Sequence, residues 1–221
     1  PWWNTDIGGF YGADIRSDYF KELIVRWFQY GLFSPVMRLH GSRIRHFEPT
    51  PGLLEPSGDP NEIWSFGEEN LEILKDLIFT REKLRPYIEK QMNIASEKGY
   101  PIMRPMFFEY PDDEFYYTLD SQYMFGDDII FSPIVEEKQR AKIVYLPEGE
   151  WILTKDKKVY KEGMHHIKAD INEYIKNYLD LILKHKGCCD NVWLSSLYGY
   201  PKVETHKIFA EKLKKISFAQ W

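Results

Sequence analysis

The segments Trp3-Asn4-Thr5-Asp6-Ile7-Gly8-Gly9-Phe10 and Arg38-Leu39-His40-Gly41 share one pattern, in which a short apolar run ends in polar side chains followed by glycine. Between them, residues 18–30 place apolar side chains at helical spacing after Ser17, a residue type that often caps a helix. The pattern therefore predicts a strand at residues 1–10, a helix, and a second strand at residues 34–39. In a (β/α) barrel the carboxyl ends of the strands form the active-site face, so we expect both sets of polar residues on that face.

The region after the second strand is predicted to be a long loop followed by helix. Residues 41–64 are rich in proline and glycine, which favours a loop. The string Ser65-Phe66-Gly67-Glu68 has the spacing of a capping box and predicts a helix start. We expect this helix to run to about Arg85, to be broken or kinked by Pro86, and to continue as a second stretch to Lys98 before Gly99.

A change of pattern near residue 100 predicts a second domain made of strands. Residues 102–108, 129–134, 142–146 and 150–153 are short apolar segments separated by turn residues, as in an antiparallel sheet or sandwich. The pattern changes again after residue 170, where apolar residues from Ile171 to Ile182 follow helical spacing. This organisation predicts three parts: residues 1–100, residues 101–175, and a helical tail of unassigned role at residues 176–221.

Composition excludes several classes of partner. The 221 residues carry a net charge of −5 without a basic stripe, which argues against nucleic acid, and the sequence has no apolar run long enough to span a bilayer. The two cysteines, Cys188 and Cys189, are adjacent and predict no disulfide framework, which fits a reducing, cytoplasmic compartment. Because the chain begins at Pro1 in the middle of a predicted strand, we interpret it as part of a longer polypeptide.

Five strings in order resemble glycoside hydrolase family 31, which contains α-glucosidases and α-xylosidases. They are Trp3 to Phe10 with Arg38-Leu39-His40-Gly41, Arg85-Pro86-Tyr87, Met103-Arg104-Pro105, residues 120–128, and residues 145–151. The resemblance covers roughly residues 1 to 175. It implies an α/β plus all-β fold, with the last two βα units of a (β/α)8 TIM barrel followed by an antiparallel β-sandwich.

The resemblance also implies a retaining α-glycosidase that hydrolyses a terminal α-linked xylose or glucose through a covalent glycosyl-enzyme. Such enzymes use two carboxylates, one as nucleophile and one as acid/base, and in this family both lie on earlier barrel strands. Neither family motif occurs here, so we assign no catalytic residue to this chain. Arg-Leu-His-Gly, in place of an asparagine after the histidine, favours the α-xylosidase-like members. The alternatives are a non-catalytic carbohydrate-binding or scaffold module, or a transglycosylase or lyase on the same scaffold.

The residues that the resemblance assigns to the sugar pocket are Asp6, His40, Arg38 and Phe10. Asp6 accepts hydrogen bonds from sugar hydroxyls, His40 bonds a hydroxyl, Phe10 lines the wall, and Arg38 orients a carboxylate. From the residues alone, Asp6 also fits a turn residue and Arg38 also fits a structural ion-pair partner. His40 fits a packed or solvent-exposed histidine, and Phe10 a core residue. The predicted partner is an oligosaccharide or glycoside, with no cofactor and no metal.

Overall fold

The computed structural model describes residues 2–46, 58–153, 158–169 and 171, together with the backbone of residues 182–184. Pro1–Lys186 form one compact unit, and the elements below all belong to it. Most of the tail predicted at residues 176–221 lies outside the described residues.

The first elements form the predicted strand, helix, strand unit. Strand β1 (Asp6–Ile7) pairs in parallel with β2 (Arg38–Leu39), and helix α1 (Asp18–Leu32) lies between them in sequence. The predicted cap is confirmed, since Ser17 Oγ accepts a hydrogen bond from Phe20 N at 3.1 Å. The strands are shorter than predicted. Gly8 has a φ of +88°, a left-handed conformation that ends the extended backbone of β1.

Helix α2 (Glu68–Lys98) is continuous, so of the two alternatives at Pro86 the break is wrong and the kink stays a prediction. Proline removes one helical hydrogen bond, but Leu84 and Tyr87 on either side of Pro86 are buried, and their packing holds the helix together. The predicted capping box is also wrong. Ser65 lies in a 3₁₀ turn (Ile63–Phe66), its hydroxyl bonds Glu62, and α2 begins after Gly67 with no side-chain cap.

The remaining strands form a six-stranded sheet in which every neighbouring pair is antiparallel. The strands are β3 (Met103–Pro105), β4 (Tyr123–Phe125), β5 (Ile129–Phe131), β6 (Ala141–Leu153), β7 (Val159–Lys168) and β8 (Ile182–Lys184). Their order in the sheet is β3-β4-β5-β8-β6-β7.

Three local predictions in this region are wrong. The strand predicted at residues 102–108 ends at Pro105, and helix α3 (Met106–Glu109) follows with Met106 buried. The turn predicted at residues 147–149 is an irregularity within the single strand β6. The tail predicted to be helical contains β8, whose backbone inserts between β5 and β6 and gives both strands a hydrogen-bonding partner.

One hydrophobic core joins distant strands of this sheet. Met124 and Ile130 from β4 and β5 belong to the same buried cluster as Val144, Trp151 and Ile167 from β6 and β7. The cluster therefore contains side chains from four of the six strands of this sheet. The antiparallel architecture is thus confirmed, and a separate second sheet facing it does not occur among the described residues.

A polar network connects α2 to the start of the sheet. The buried Arg104 guanidinium donates to Asp127 Oδ1 at 2.9 Å and to Gln91 Oε1 at 3.2 Å, and it also bonds Glu109. Gln91 Nε2 donates in turn to Asp127 Oδ2 at 3.0 Å. Burial opposes ionisation of Asp127, but the hydrogen bonds from Gln91 and Arg104 and the charge of Arg104 lower its pKa overall. The network fixes the β4–β5 turn against the helix.

In the described part of the chain, no helix is both long enough and apolar enough to cross a membrane.

Candidate sugar-binding site

Asp6 and Arg38 face each other at the parallel strand pair. They are register partners, and the Arg38 guanidinium forms a salt bridge with Asp6 Oδ1. The Asp6 side chain is 20% exposed and that of Arg38 is 50% exposed, so the pair is open to solvent on one side. Gly9 N donates to the Asp6 backbone carbonyl at 2.8 Å. The Asp6 backbone carbonyl therefore starts a turn, and the Asp6 carboxylate binds the Arg38 guanidinium.

His40 and Phe10 form a second contact just beyond the strand ends. Their ring centroids are 5.8 Å apart with an interplanar angle of 38°, and both side chains are exposed. Phe10 is 69% exposed, which is inconsistent with a core position. Phe10 therefore does not pack in the core of the described residues, and its ring offers an accessible apolar face there.

Arg43 connects the two loops that carry these residues, and it was not among the residues predicted for the site. Its Nη1 donates to the carbonyls of Gly8 (2.9 Å), Gly9 (3.0 Å) and Gly12 (3.4 Å), and its Nη2 donates to the carbonyl of His40 (3.2 Å). Arg43 is only 2% exposed, and this burial lowers the pKa of its guanidinium. One side chain thereby binds the loop after β1 and the loop after β2.

The glycines around Arg43 provide the space for its guanidinium. A Cβ on Gly8 would lie 2.7 Å from Arg43 Nη2, and a Cβ on Gly41 would lie 3.1 Å from the same atom. At Gly41, whose φ is +126°, the added Cβ would also lie 2.1 Å from the carbonyl oxygen of Gly9. The glycines that follow each strand therefore permit close approach of the two loops.

Backbone hydrogen bonds continue the pairing of the loops. Ser42 N donates to the Phe10 carbonyl, and Ile44 N donates to the Ala13 carbonyl, both at 3.0 Å. Ser42 also forms an isolated parallel bridge with Tyr11. The loops therefore leave the strands side by side, which keeps the predicted residues on the same edge.

A third segment, at residues 58–61, supports the loops from outside. Asn61 accepts a hydrogen bond from Arg43 Nε at 2.8 Å and donates to the Gly41 carbonyl at 3.2 Å. Asp59 binds both the backbone N–H (3.0 Å) and ring Nδ1 (2.7 Å) of His46. The hydrogen bond from the His46 backbone is the largest of the effects that lower the pKa of Asp59. His46 Nε2 lies 3.3 Å from Asp14 Oδ1, which connects this segment to the loop after β1.

A cavity of about 250 Å³ lies elsewhere on the described surface, between α1 and residues 134–137. Trp27, Tyr30 and Val135 are among the residues that line it, and none of the four predicted site residues does. Among the described residues, no group of three or more His, Cys, Asp or Glu side chains is arranged to hold a metal ion.

Comparison with known proteins assigns both halves of the described unit to one family. Residues 1–91 match the glycosyl hydrolases family 31 TIM-barrel domain, and residues 99–185 match the family 31 C-terminal domain. The match extends past residue 175, where the resemblance was predicted to end. Asp6, Arg38, Phe10 and His40 all lie within the barrel-domain match.

Curated relatives and solved structures agree with this assignment. An alpha-xylosidase of Saccharolobus solfataricus is 36% identical over 151 residues, which cover 68% of this chain and 19% of the relative. Alpha-glucosidase 2 of Bacillus thermoamyloliquefaciens is 33% identical over 168 residues, 75% of this chain and 19% of the relative. The chain thus spans about a fifth of the length of these relatives.

A family 31 alpha-xylosidase from a soil metagenome, solved in complex with xylose, has a TM-score of 0.75 and 38% identity. The superposition covers 89% of this chain and 29% of that structure. The fold, the two family matches and the similarity to glycosidases lead to one conclusion: the chain belongs to glycoside hydrolase family 31.

Proposed function

We propose that this chain supplies part of the sugar-binding wall of a retaining α-glycosidase that acts on a terminal α-linked xylose or glucose. The observation that carries the proposal is that Asp6 pairs with Arg38 across two parallel strands, and that Phe10 and His40 meet just beyond the carboxyl ends of the same strands. In barrel enzymes this is the face where substrates bind. On this proposal, β1 and β2 are the last two strands of the barrel.

The chemistry of each residue suits a sugar. The Asp6 carboxylate accepts hydrogen bonds from hydroxyl groups, and charge-assisted bonds of this kind are stronger than neutral ones. The exposed Phe10 ring provides an apolar surface for the C–H face of a pyranose, and His40 beside it provides ring nitrogens for a hydroxyl. Arg38 holds the Asp6 carboxylate in a fixed orientation.

The reactive carboxylates are proposed to come from a segment outside these residues. A retaining enzyme needs two carboxyl groups about 5 Å apart, one to attack the anomeric carbon and one to protonate the leaving oxygen. The described carboxylates near the site already have partners. Asp6 pairs with Arg38, and Asp14 and Asp59 both contact His46. This pairing favours binding or structural roles for all three.

The test is to assay two polypeptides on aryl α-xylosides and aryl α-glucosides: the 221-residue chain, and the full-length polypeptide that carries it. We expect turnover with release of the α-anomer only from the full-length polypeptide. Hydrolysis by the 221 residues alone would contradict the location of the reactive carboxylates. Sugar binding without any hydrolysis by the full-length polypeptide would instead establish a carbohydrate-binding module.

A further inference from the structure

We propose that Arg43 is a positioning residue for the sugar site, because it fixes the loop that carries Phe10 relative to the loop that carries His40. The inference rests on the proposed function for its effect on activity. The hydrogen bonds by which Arg43 links the two loops form a clamp, and this clamp depends only on contacts within the described residues. Arg43 does not face substrate in this account, and it acts through the backbone of the residues that do.

The first argument is the distribution of its hydrogen bonds. Arg43 donates to three carbonyls in the loop after β1 and to the carbonyl of His40 in the loop after β2. The Gly8 and Gly9 carbonyls lie between Asp6 and Phe10 in sequence, so the guanidinium sets the path of the backbone between these two predicted pocket residues. A single rigid planar group therefore links the backbone around Asp6, Phe10 and His40.

The second argument is that the surroundings fit a guanidinium. Its carbon lies 5.2 Å from the ring centroid of Phe20 on α1, and Nε donates to Asn61 Oδ1. Gly8 and Gly41 leave room where a side chain would meet Nη2. A lysine has one donor group and no planar fork, so it cannot replace these contacts together.

The third argument is a contrast with Arg81, which clamps backbone elsewhere. Arg81 donates to the carbonyls of Leu32 (2.5 Å), Ser34 (2.8 Å) and Pro35 (2.8 Å), which precede β2. Burial lowers the pKa of Arg81 to about 10. Both arginines donate hydrogen bonds to several backbone carbonyls. The acceptors of Arg43 lie just after β1 and β2, whereas those of Arg81 lie before β2. Arg81→Lys is therefore a matched control for Arg43→Lys.

The experiment compares Arg43→Lys and Arg81→Lys in the full-length polypeptide, with aryl α-glycoside kinetics and inhibition by free xylose or glucose. We expect Arg43→Lys to lower kcat/KM by roughly tenfold to a hundredfold, as for other small misplacements of binding groups. The inhibition constant of the free sugar should rise in parallel. Arg81→Lys should lower thermal stability but leave both quantities within about twofold of wild type. Equal kinetic effects of the two variants would overturn the positioning role.

Amide hydrogen exchange provides a readout that does not depend on activity. The N–H groups of Ser42 and Ile44 donate across the two loops. We expect Arg43→Lys, but not Arg81→Lys, to accelerate exchange at both amides by more than tenfold. Unchanged exchange would overturn the clamp even if the protein hydrolyses no glycoside.

Two further outcomes separate this inference from the proposed function. If the wild type is active and Asp6→Asn impairs it while Arg43→Lys does not, the inference fails and the proposed function stands. If the wild type is inactive but the exchange result holds, the proposed function fails and the clamp stands. Should Arg43→Lys fail to fold, Asn61→Ala removes one contact of the same guanidinium. We expect it to lower kcat/KM several-fold, and unchanged kinetics would overturn the inference.

Discussion

Asp6 and Arg38 occupy register-paired positions on two parallel strands, and their side chains form a salt bridge that is partly open to solvent. The arrangement presents a carboxylate whose orientation is fixed by a neighbouring strand rather than by a flexible loop. A carboxylate held in this way is suited to repeated recognition of the same hydroxyl geometry, because little rotational freedom is lost on binding.

The ion pair is expected to contribute more to binding than to stability. Exposed ion pairs stabilise proteins by about 0–1 kcal/mol, so Arg38→Met should change the free energy of unfolding by less than about 1 kcal/mol. Loss of the fixed Asp6 orientation should lower kcat/KM in the full-length enzyme by roughly tenfold. Denaturant titration and steady-state kinetics check the two expectations.

Arg85→Met is the matched control for this prediction. Arg85 forms a more exposed ion pair with Glu82 on α2, with both side chains 60% exposed. Arg85→Met should change the free energy of unfolding by less than about 1 kcal/mol and should leave kcat/KM unchanged. A fall in kcat/KM for Arg85→Met as large as that for Arg38→Met would mean that the Asp6 contact is not the cause.

Gly41 should not tolerate a side chain. A Cβ there would lie 2.1 Å from the Gly9 carbonyl oxygen, at a backbone φ of +126°. We expect Gly41→Ala to destabilise the protein by at least about 2 kcal/mol, since both strain and overlap oppose folding. Thermal or urea unfolding of the variant measures the loss.

Gly12→Ala separates the two causes. Gly12 also has a positive φ, +83°, but a Cβ there meets nothing within 4 Å. Gly12→Ala should therefore lower the free energy of unfolding only through the strained backbone conformation, by about 1 kcal/mol. If Gly41→Ala were no more destabilising than Gly12→Ala, the close approach of the two loops would be refuted.

The Asp127 network predicts a specific pH dependence of stability. The pKa of Asp127 is lowered below its ordinary value of 3.8 in the folded protein. The stabilisation that ionised Asp127 contributes is therefore present above about pH 4, and it is lost as the pH falls through the pKa of Asp127 in the folded protein. Because the side chain is 41% exposed, solvent screening limits the effect to about 1 kcal/mol or less.

Asp127→Asn should remove this dependence. Between pH 5 and pH 3, the variant should lose less unfolding free energy than the wild type in urea titrations. Asp112→Asn, at an exposed position outside the network, serves as the control and should follow the wild type. A variant Asp127→Asn whose pH profile coincides with that of the wild type would show that the Arg104 contact does not contribute.

Much of the architecture follows from local sequence signals. Ser17 followed by helical spacing predicted α1 and its cap, and Gly99 predicted the end of α2. Family 31 membership followed from strings of several residues, such as Trp3 to Phe10, which carry far more information than a single polar residue. The local predictions that failed were set by tertiary contacts. Buried neighbours keep α2 continuous through Pro86, and pairing with β5 and β6 makes residues 182–184 a strand.

The principal gap in the predicted site is Arg43. Its partners lie 31 to 35 residues away along the chain at Gly8, Gly9 and Gly12, and 18 residues away at Asn61. No pattern in the sequence distinguishes Arg43 from the nearby Arg45. Gly8-Gly9 after the first strand and Gly41 after the second were a usable signal, because two close-approach points on neighbouring strands imply that something large occupies the space between them.

Whether Asp6 binds the sugar of an α-glycoside is decided by the kcat/KM of Asp6→Asn in the full-length polypeptide. Loss of a charge-assisted hydrogen bond in the transition state should cost at least about 2 kcal/mol, a fall of roughly 30-fold on aryl α-xylosides or α-glucosides. A kcat/KM equal to that of the wild type would contradict the account.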